Sequence, residues 1–446
     1  QHFAPDYRIG AELGFPGLLA KLEHCRAING PSGYEFYDAE IRVVKAIIRY
    51  IGRHLPVIEN FLETETDPDL RRTLSEMYEC NVNLMQREPR TFLEMCQWMG
   101  WFQNASWTYN SDGAGMQIDQ FLYPFYLRDK AAGILDDDKA TFILANLILL
   151  NPHYYQIGGP DAEGKDRTND LSFLVLEAAH WLNISANITI RLFDGINKDL
   201  FRKGVEYLFA DGNGWPRFSG DKGLMGFTKN RKMSVELARD RAAVGCHWNS
   251  LPGLEYTLND TVKINAAKVF EVAFKEISKE PEPTLQKLWE RFVLHLNKAV
   301  DTTAQGINFH LEHMHKYMPE LVLNLMTHNT LEKGLDVTQC ADYFNLCIDG
   351  AGLGTVADSF AALQQRVEDE KVLTWSQVVE ALEHDFEGTP YDRIQLMLKS
   401  SDRYCQGSGR GDYWAQKISK TFSEAVHNYP MPNDRVLIPG WFSWAN

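Results

Sequence analysis

The sequence predicts an α/β protein in which parallel strands are joined by crossover helices and flanked by long helical segments. Three observations carry this. Residues from about 139 to 270 alternate helix-like patterns with short β-rich runs such as Asn187-Ile-Thr-Ile-Arg-Leu-Phe193, separated by glycine- and proline-bearing loops at 158–164 and 211–226. Alternation of this kind marks strands connected by helices. The flanking segments repeat apolar residues at three- and four-residue spacing, the helical period. Finally, 446 residues that are 44% hydrophobic and 12% aromatic suffice to bury a large core.

Taken in order, Ala11–Ile28 and Glu40–His54 read as helices, with Gly30-Pro31-Ser32-Gly33 as the break between them. A third helix runs from Asp67 to Met85, where Asp67-Pro68-Asp69 supplies a cap followed by a proline suited to a first turn. Thr91–Ser106 is a fourth. In the alternating centre, Glu236 to Gly253 reads as a helix-like run that stops in Gly245-Cys246 and turns at Pro252-Gly253, which presents one thiol on a tight turn. Glu255 then falls at the start of a following helix. Beyond Glu280-Pro-Glu-Pro283, helical patterns return at Leu285–Val300, Ser376–Phe386 and Tyr391–Ser400, and Tyr343–Ile348 is strand-like. No stretch separates regions of different composition, so residues 1–446 read as one domain.

A formal charge of -15, with no basic cluster longer than Lys229-Asn-Arg-Lys232, excludes a nucleic-acid footprint. The longest apolar run, Phe142–Leu150, is about half of what a membrane span needs. Residues 1–30 lack a basic stretch followed by an apolar one, so neither export nor membrane association is expected. Seven cysteines, at 25, 80, 96, 246, 340, 347 and 405, form no C-x-x-C pair and no even framework, which fits a reducing cytoplasm. His310 and His313 share a helical face, but nothing completes a metal site, and no metal is expected.

Five segments, in chain order, point to a family. They are Arg90-Thr-Phe-Leu-Glu-Met-Cys-Gln97, Gly115-Met-Gln-Ile-Asp-Gln-Phe-Leu-Tyr-Pro-Phe-Tyr126, Asn169-Asp-Leu-Ser-Phe-Leu-Val-Leu-Glu177, Glu236-Leu-Ala-Arg-Asp-Arg-Ala-Ala-Val-Gly-Cys246 and Gly350-Ala-Gly-Leu-Gly-Thr-Val-Ala-Asp-Ser-Phe-Ala-Ala362. Together they resemble the glycyl radical enzymes, the superfamily of pyruvate formate-lyase and the radical diol dehydratases. The resemblance implies a ten-stranded α/β barrel surrounded by helices, in which a cysteine loop and a glycine loop meet inside. It makes Cys246 the residue that becomes a thiyl radical. It implies a protein-borne glycyl radical as cofactor, installed by a separate radical S-adenosylmethionine activase with an iron-sulfur cluster. A homodimer and the cytoplasm of an anaerobe are the family's defaults. The chain corresponds to the central part of such a barrel, expected to be truncated at both ends: Arg435-Val436 is followed by Leu-Ile-Pro-Gly and not by the family's Arg-Val-x-Gly-Tyr.

Taking hydrogen from an unactivated carbon needs an odd-electron atom held dry, and a sulfur radical meets that need. Radical dehydratases of this family carry Glu two residues after the cysteine, on the same face of an extended loop, where it can accept a proton. Trp248 stands there instead, an aromatic wall or N–H donor. Its presence favours chemistry that needs only abstraction and fragmentation, such as decarboxylation or another carbon-carbon or carbon-heteroatom cleavage of a small organic substrate, over diol dehydration. Alternation turns His247 away from the thiol. Glu255 either folds back to replace the missing carboxylate or is an ordinary exposed acid. In Phe218-Ser-Gly-Asp221, which loosely resembles the family's substrate-side loop, Asp221 is either a partner for a substrate hydroxyl or cation or a turn stabiliser. Two rival readings are an NAD-binding oxidoreductase, from the G-x-G-x-x-A pattern Gly352–Ala357 behind a strand, and a catalytically silent barrel.

Overall fold

The computed structural model describes residues 3–110, 115–245, 248–258, 262–407 and 409–442, with side chains at all of these but 110, 230 and 434. Two compact units make up the chain, one of Gln1–Thr257 with Glu312–Phe344 and one of Leu258–Leu311 with Asn345–Asn446.

The first unit opens with the four expected helices: α1 (Tyr7–Asn29), α2 (Tyr34–Thr64), α3 (Pro68–Gln86) and α4 (Phe92–Asn110); α1 starts four residues earlier, α2 runs on by six residues at its start and ten at its end, α4 by four at its end, and α3 is shifted by one. Asp67 caps α3 by accepting the Asp69 and Leu70 N–H groups at 2.9 and 3.0 Å, the role its position before Pro68 predicts. The added turns of α1 and α2 pack as well, through Tyr7, Tyr37 and Ile58, all buried. Helix α1 kinks at Gly14, where φ is +57° and a Cβ would stand 2.8 Å from the Glu88 backbone, so only glycine fits. Phe15, Trp98 and Phe102 stack in series at 4.8 and 5.6 Å between centroids, with no solvent exposure.

A four-stranded parallel sheet follows, in the order β1 (Met116–Gln117), β2 (Tyr155–Ile157), β3 (Ile188–Leu192), β4 (Arg217–Gly220). The connections carry α5 (Ile118–Phe121), α6 (Tyr123–Ala131), α7 (Asp137–Leu150), α8 (Asp170–Leu182) and α9 (Lys198–Asp211). Side chains alternate across a strand. Ile188, Ile190 and Phe218 therefore share the face that meets the helices; a Cβ at Gly204 of α9 would stand 2.4 Å from Ile190 and 3.4 Å from Phe218. Gln156, Thr189, Arg191, Arg217 and Ser219 form the opposite face, which is polar yet buried: Gln156, Thr189 and Arg191 are at most 1% exposed.

Asp119 of α5 ties two of the family-like segments together. Its Oδ2 accepts the Gly158 N–H at 2.8 Å and the Ser172 hydroxyl at 2.5 Å, and its carbonyl accepts the Asn169 side-chain amide at 3.1 Å. Burial pushes its carboxyl up to about 6, against the opposing pull of the Ser172 and Gly158 donors.

The stretch before the candidate cysteine corrects the sequence reading. The helix there ends at Asp240, and a strand intervenes before Gly245: β5 (Ala242–Val244) pairs antiparallel with β6 (Trp248–Ser250). Glu255 likewise begins a strand, β7 (Glu255–Leu258), and not a helix, with every residue of that strand buried.

In the second unit β9 (Tyr343–Ala351) pairs in parallel with β10 (Leu437–Trp441) from Leu346 onward and with β8 (Lys263–Asn265) from Asp349 onward. The strand expected at Tyr343–Ile348 thus runs three residues further. Gly352, at φ +86°, turns the chain into helix Leu353–Leu363, and a Cβ there would lie 3.2 Å from Ala267. Left-handed backbone and close packing account for that glycine of the G-x-G-x-x-A pattern. Phe360 of the same helix stacks on Trp414 at 4.5 Å. No helix among the described residues is long and apolar enough to cross a membrane.

Candidate active site

The β5–β6 hairpin lies on the polar face of the four-stranded sheet. Val244 pairs with Trp248, so three residues, 245–247, make the connection. Cys246 and His247 lie outside the described residues. Everything around them is held. Gln156 of β2 accepts the Ala243 N–H through Oε1 at 3.1 Å. Arg191 of β3 gives the same oxygen a bond of 2.7 Å and donates to the Arg241 carbonyl and, at 3.4 Å, to Asn249 Oδ1. Its other terminal nitrogen reaches the Arg239 carbonyl at 2.6 Å. Arg217 of β4 donates to the Gly245 carbonyl at 2.9 Å. A Cβ at Gly115 would strike Val244 at 2.2 Å, which brings the segment leading into β1 against β5.

Beneath the hairpin, Arg241 and Glu255 form an ion pair at 2.7 Å with neither side chain exposed. Arg241 also donates to the Asn249 carbonyl at 2.6 Å and lies 3.8 Å over the Phe227 ring. Glu255 Oε2 additionally accepts the Leu251 N–H at 2.9 Å. An acid at the base of the hairpin therefore fixes its root, and the reading of Glu255 as an exposed acid does not hold.

Asp221 follows β4, 5% exposed, and its Oδ2 meets Arg239 at 3.3 Å. Arg239 continues to the Asp161 and Ala162 carbonyls at 2.8 and 3.0 Å, so Asp221 anchors the loop after β2. Trp248 is half-buried at the first position of β6. Phe218 packs on Phe201 of α9 at 5.6 Å, across the sheet from the hairpin. Of the residues singled out from sequence, Trp248, Asp221 and Glu255 thus converge on the hairpin and its supports, while Phe218 does not.

Four arginines that sequence reasoning left without a role, Arg191, Arg217, Arg239 and Arg241, do most of the holding. A signal was present for one: in Ile188-Thr-Ile-Arg-Leu192 the polar residues fall at every second position of an otherwise apolar strand, which places Thr189 and Arg191 on one face. Burial pulls the Arg191 guanidinium down to about 9, with the Asp221 charge opposing, so it remains a cation at neutral pH.

A parallel sheet with one buried polar face carries a hairpin held at the Gly245 carbonyl and at the buried Arg241–Glu255 pair, within an α/β protein. Comparison with known proteins places it. The chain belongs to the pyruvate formate lyase-like family of glycyl radical enzymes, whose family model matches residues 1–446. It is 26% identical over 475 residues to isethionate sulfite-lyase of Nitratidesulfovibrio vulgaris, covering 93% of this chain and 55% of that protein. Against (2S)-3-sulfopropanediol dehydratase of Klebsiella oxytoca the identity is 24%, over 99% of this chain and 59% of that protein. The glycerol-bound B12-independent glycerol dehydratase from Clostridium butyricum superposes with a TM-score of 0.88 at 20% identity, over 98% of this chain and 60% of that one. The α/β barrel type implied by the sequence resemblance is therefore the fold found. The chain spans somewhat over half the length of the curated relatives it matches.

Proposed function

We propose that this chain carries the cysteine loop of a glycyl radical lyase, with Cys246 taking hydrogen from a small, anionic organic substrate. The observation that carries the reading is the three-residue connection 245–247, gripped at its first carbonyl by Arg217 and rooted on the buried Arg241–Glu255 pair. A reacting sulfur needs such a fixed, water-poor setting, and the residues present fit it: Ala242, Ala243, Val244 and Ser250 of the hairpin are at most 2% exposed.

When present, the family's glycyl radical supplies the odd electron. On this chain the Cys246 sulfur bonds the abstracted hydrogen as the substrate C–H bond breaks homolytically. The substrate radical fragments, and the radical product takes the hydrogen atom back from S–H, which leaves the odd electron on sulfur again. Cleavage of a carbon-carbon or carbon-heteroatom bond is favoured over diol dehydration, because Trp248 occupies the position of a dehydratase glutamate and the alternative acid, Glu255, is committed to Arg241 and the Leu251 N–H. Anionic substrates are supported by Arg191, a buried cation whose terminal nitrogens bond carbonyl and amide oxygens among the described residues, and by isethionate and sulfopropanediol in the relatives' names. The second of those names keeps radical dehydration as the alternative. The proposal extends to residues 1–446 as one barrel domain, a radical S-adenosylmethionine activating partner, a homodimer and a cytoplasmic setting.

The test uses the full-length protein with its activating enzyme. Cys246→Ser is expected to abolish turnover of sulfonate, arylacetate and diol candidates while the glycyl radical resonance still forms. Turnover that survives the substitution refutes the thiyl assignment.

A further inference from the structure

We infer that Arg217 is a positioning residue for Cys246, acting through the peptide bond that precedes it; the inference rests on the reading of Cys246 as the hydrogen-abstracting group. Gly245 sits at φ +64°, in the left-handed region, and a glycine has the widest choice of backbone angles of any residue. Nothing in its own chemistry selects one orientation of the peptide that follows. Arg217 selects it from outside: Nη2 donates to the Gly245 carbonyl at 2.9 Å while Nε donates to Thr189 Oγ1 at 2.6 Å. Thr189 is 1% exposed on the neighbouring strand β3, and the Arg217 backbone is registered against Thr189 in the parallel ladder. The guanidinium is thus fixed at one edge by the sheet and grips the connection with the other.

The gripped oxygen belongs to the amide that joins Gly245 to residue 246. Because a peptide unit is planar, fixing its C=O direction fixes the plane in which the next Cα lies. From β3, through β4, the sheet fixes the carbonyl of the amide that leads into residue 246. Arginine suits the task because its planar fork holds two acceptors in one geometry, whereas lysine offers a single flexible point charge.

The experiment compares Arg217→Gln, Arg217→Lys and Thr189→Val in the full-length protein. Two quantities are read: the rate at which iodoacetamide alkylates Cys246 before activation, followed at the Cys246 peptide by mass spectrometry, and kcat and KM after activation. Arg217→Gln is expected to speed alkylation of the released loop and to lower kcat about tenfold or more with little change in KM, as small misplacements of reacting groups do. Arg217→Lys restores part of both, and Thr189→Val moves both in the same direction by less. Wild-type alkylation and wild-type kcat in Arg217→Gln overturn the inference; should that variant fail to fold, the same result in Thr189→Val does so. An inactive Cys246→Ser beside a fully active Arg217→Gln sinks the role of Arg217 alone, whereas an active Cys246→Ser sinks the underlying reading.

Discussion

Arg241 and Glu255 are 14 positions apart in sequence and meet at 2.7 Å with no solvent on either side chain. Removing two such charges from water is costly, and their attraction offsets the cost only while both remain and their other atoms are bonded. Arg241 adds the Asn249 carbonyl and the Phe227 face, and Glu255 Oε2 adds the Leu251 N–H, but Arg241 Nε and Glu255 Oε1 have no hydrogen-bond partner among the described residues, so the cost is offset only in part. Arg241→Met should therefore destabilise the protein by about 3–5 kcal/mol, because it strands a buried carboxylate. The double variant Arg241→Met/Glu255→Leu should regain most of that loss, since apolar side chains of similar volume are tolerated at buried ion-pair sites. Denaturant unfolding of both variants decides; a double variant no more stable than the single one would show that the bonds to Asn249 and Leu251, and not the charges, hold the hairpin root. The sequence displayed both residues but not their meeting. A charged residue reads as exposed by default, and only the antiparallel pairing of β5 with β6 turns Arg241 under the strand that Glu255 begins.

Among the elements, the four leading helices and the strand at Ile188–Leu192 were legible because their periods, 3.6 and 2, are written in adjacent residues. The cysteine loop was legible by resemblance and misread in form. Arg241-Ala-Ala-Val-Gly245 continues a run of helix-forming residues, and its extended conformation comes from partners far away in sequence, Gln156 and Arg191. Short strands that lie on another sheet take their conformation from tertiary bonds more than from propensity. Asp119 joins elements in the same way: one carboxyl oxygen holds the N–H of Gly158 in the loop after β2 and the hydroxyl of Ser172 in the first turn of α8. Asp119→Ala should cost about 1–3 kcal/mol through the two donors left without an acceptor, and Asp119→Asn, which keeps an oxygen there, should cost less. Thermal unfolding of the pair is the measure. An alanine variant as stable as the parent would mean that water takes over both bonds.

At the scale of the whole molecule, residues 284 positions apart in sequence meet through an acidic core within the first unit. Asn324 donates its side-chain amide to Glu40 of α2 and to Asp336, 3.0 Å each, and Asp336 also accepts the Glu320 N–H at 2.7 Å. Burial, with the Asp336 charge adding to it, raises Glu320 from an ordinary 4.5 to about 7, and burial raises Glu40 well above its ordinary value. Both shifts have the same sign. A carboxyl whose pKa is higher in the folded chain binds its proton more tightly there, so its contribution to stability is complete below about pH 4.5 and is lost as pH rises through about 7 for Glu320. Folding stability should then fall between about pH 5 and pH 7 on account of this core, by up to about 1.4 kcal/mol per pH unit while one such group titrates alone. Carboxylates held low by partners, such as Glu94 against Arg87, act with the opposite sign and only in more acidic solution, so the two effects separate on the pH axis. Glu320→Gln, a permanent stand-in for the protonated acid, should flatten the pH dependence of the unfolding midpoint across this window, leaving the part due to Glu40 and Asp119, and raise the midpoint relative to the parent at pH 7 and above. A variant whose midpoint keeps the parent's slope would show that Glu320 releases its proton without cost, and that the acidic core is hydrated in solution.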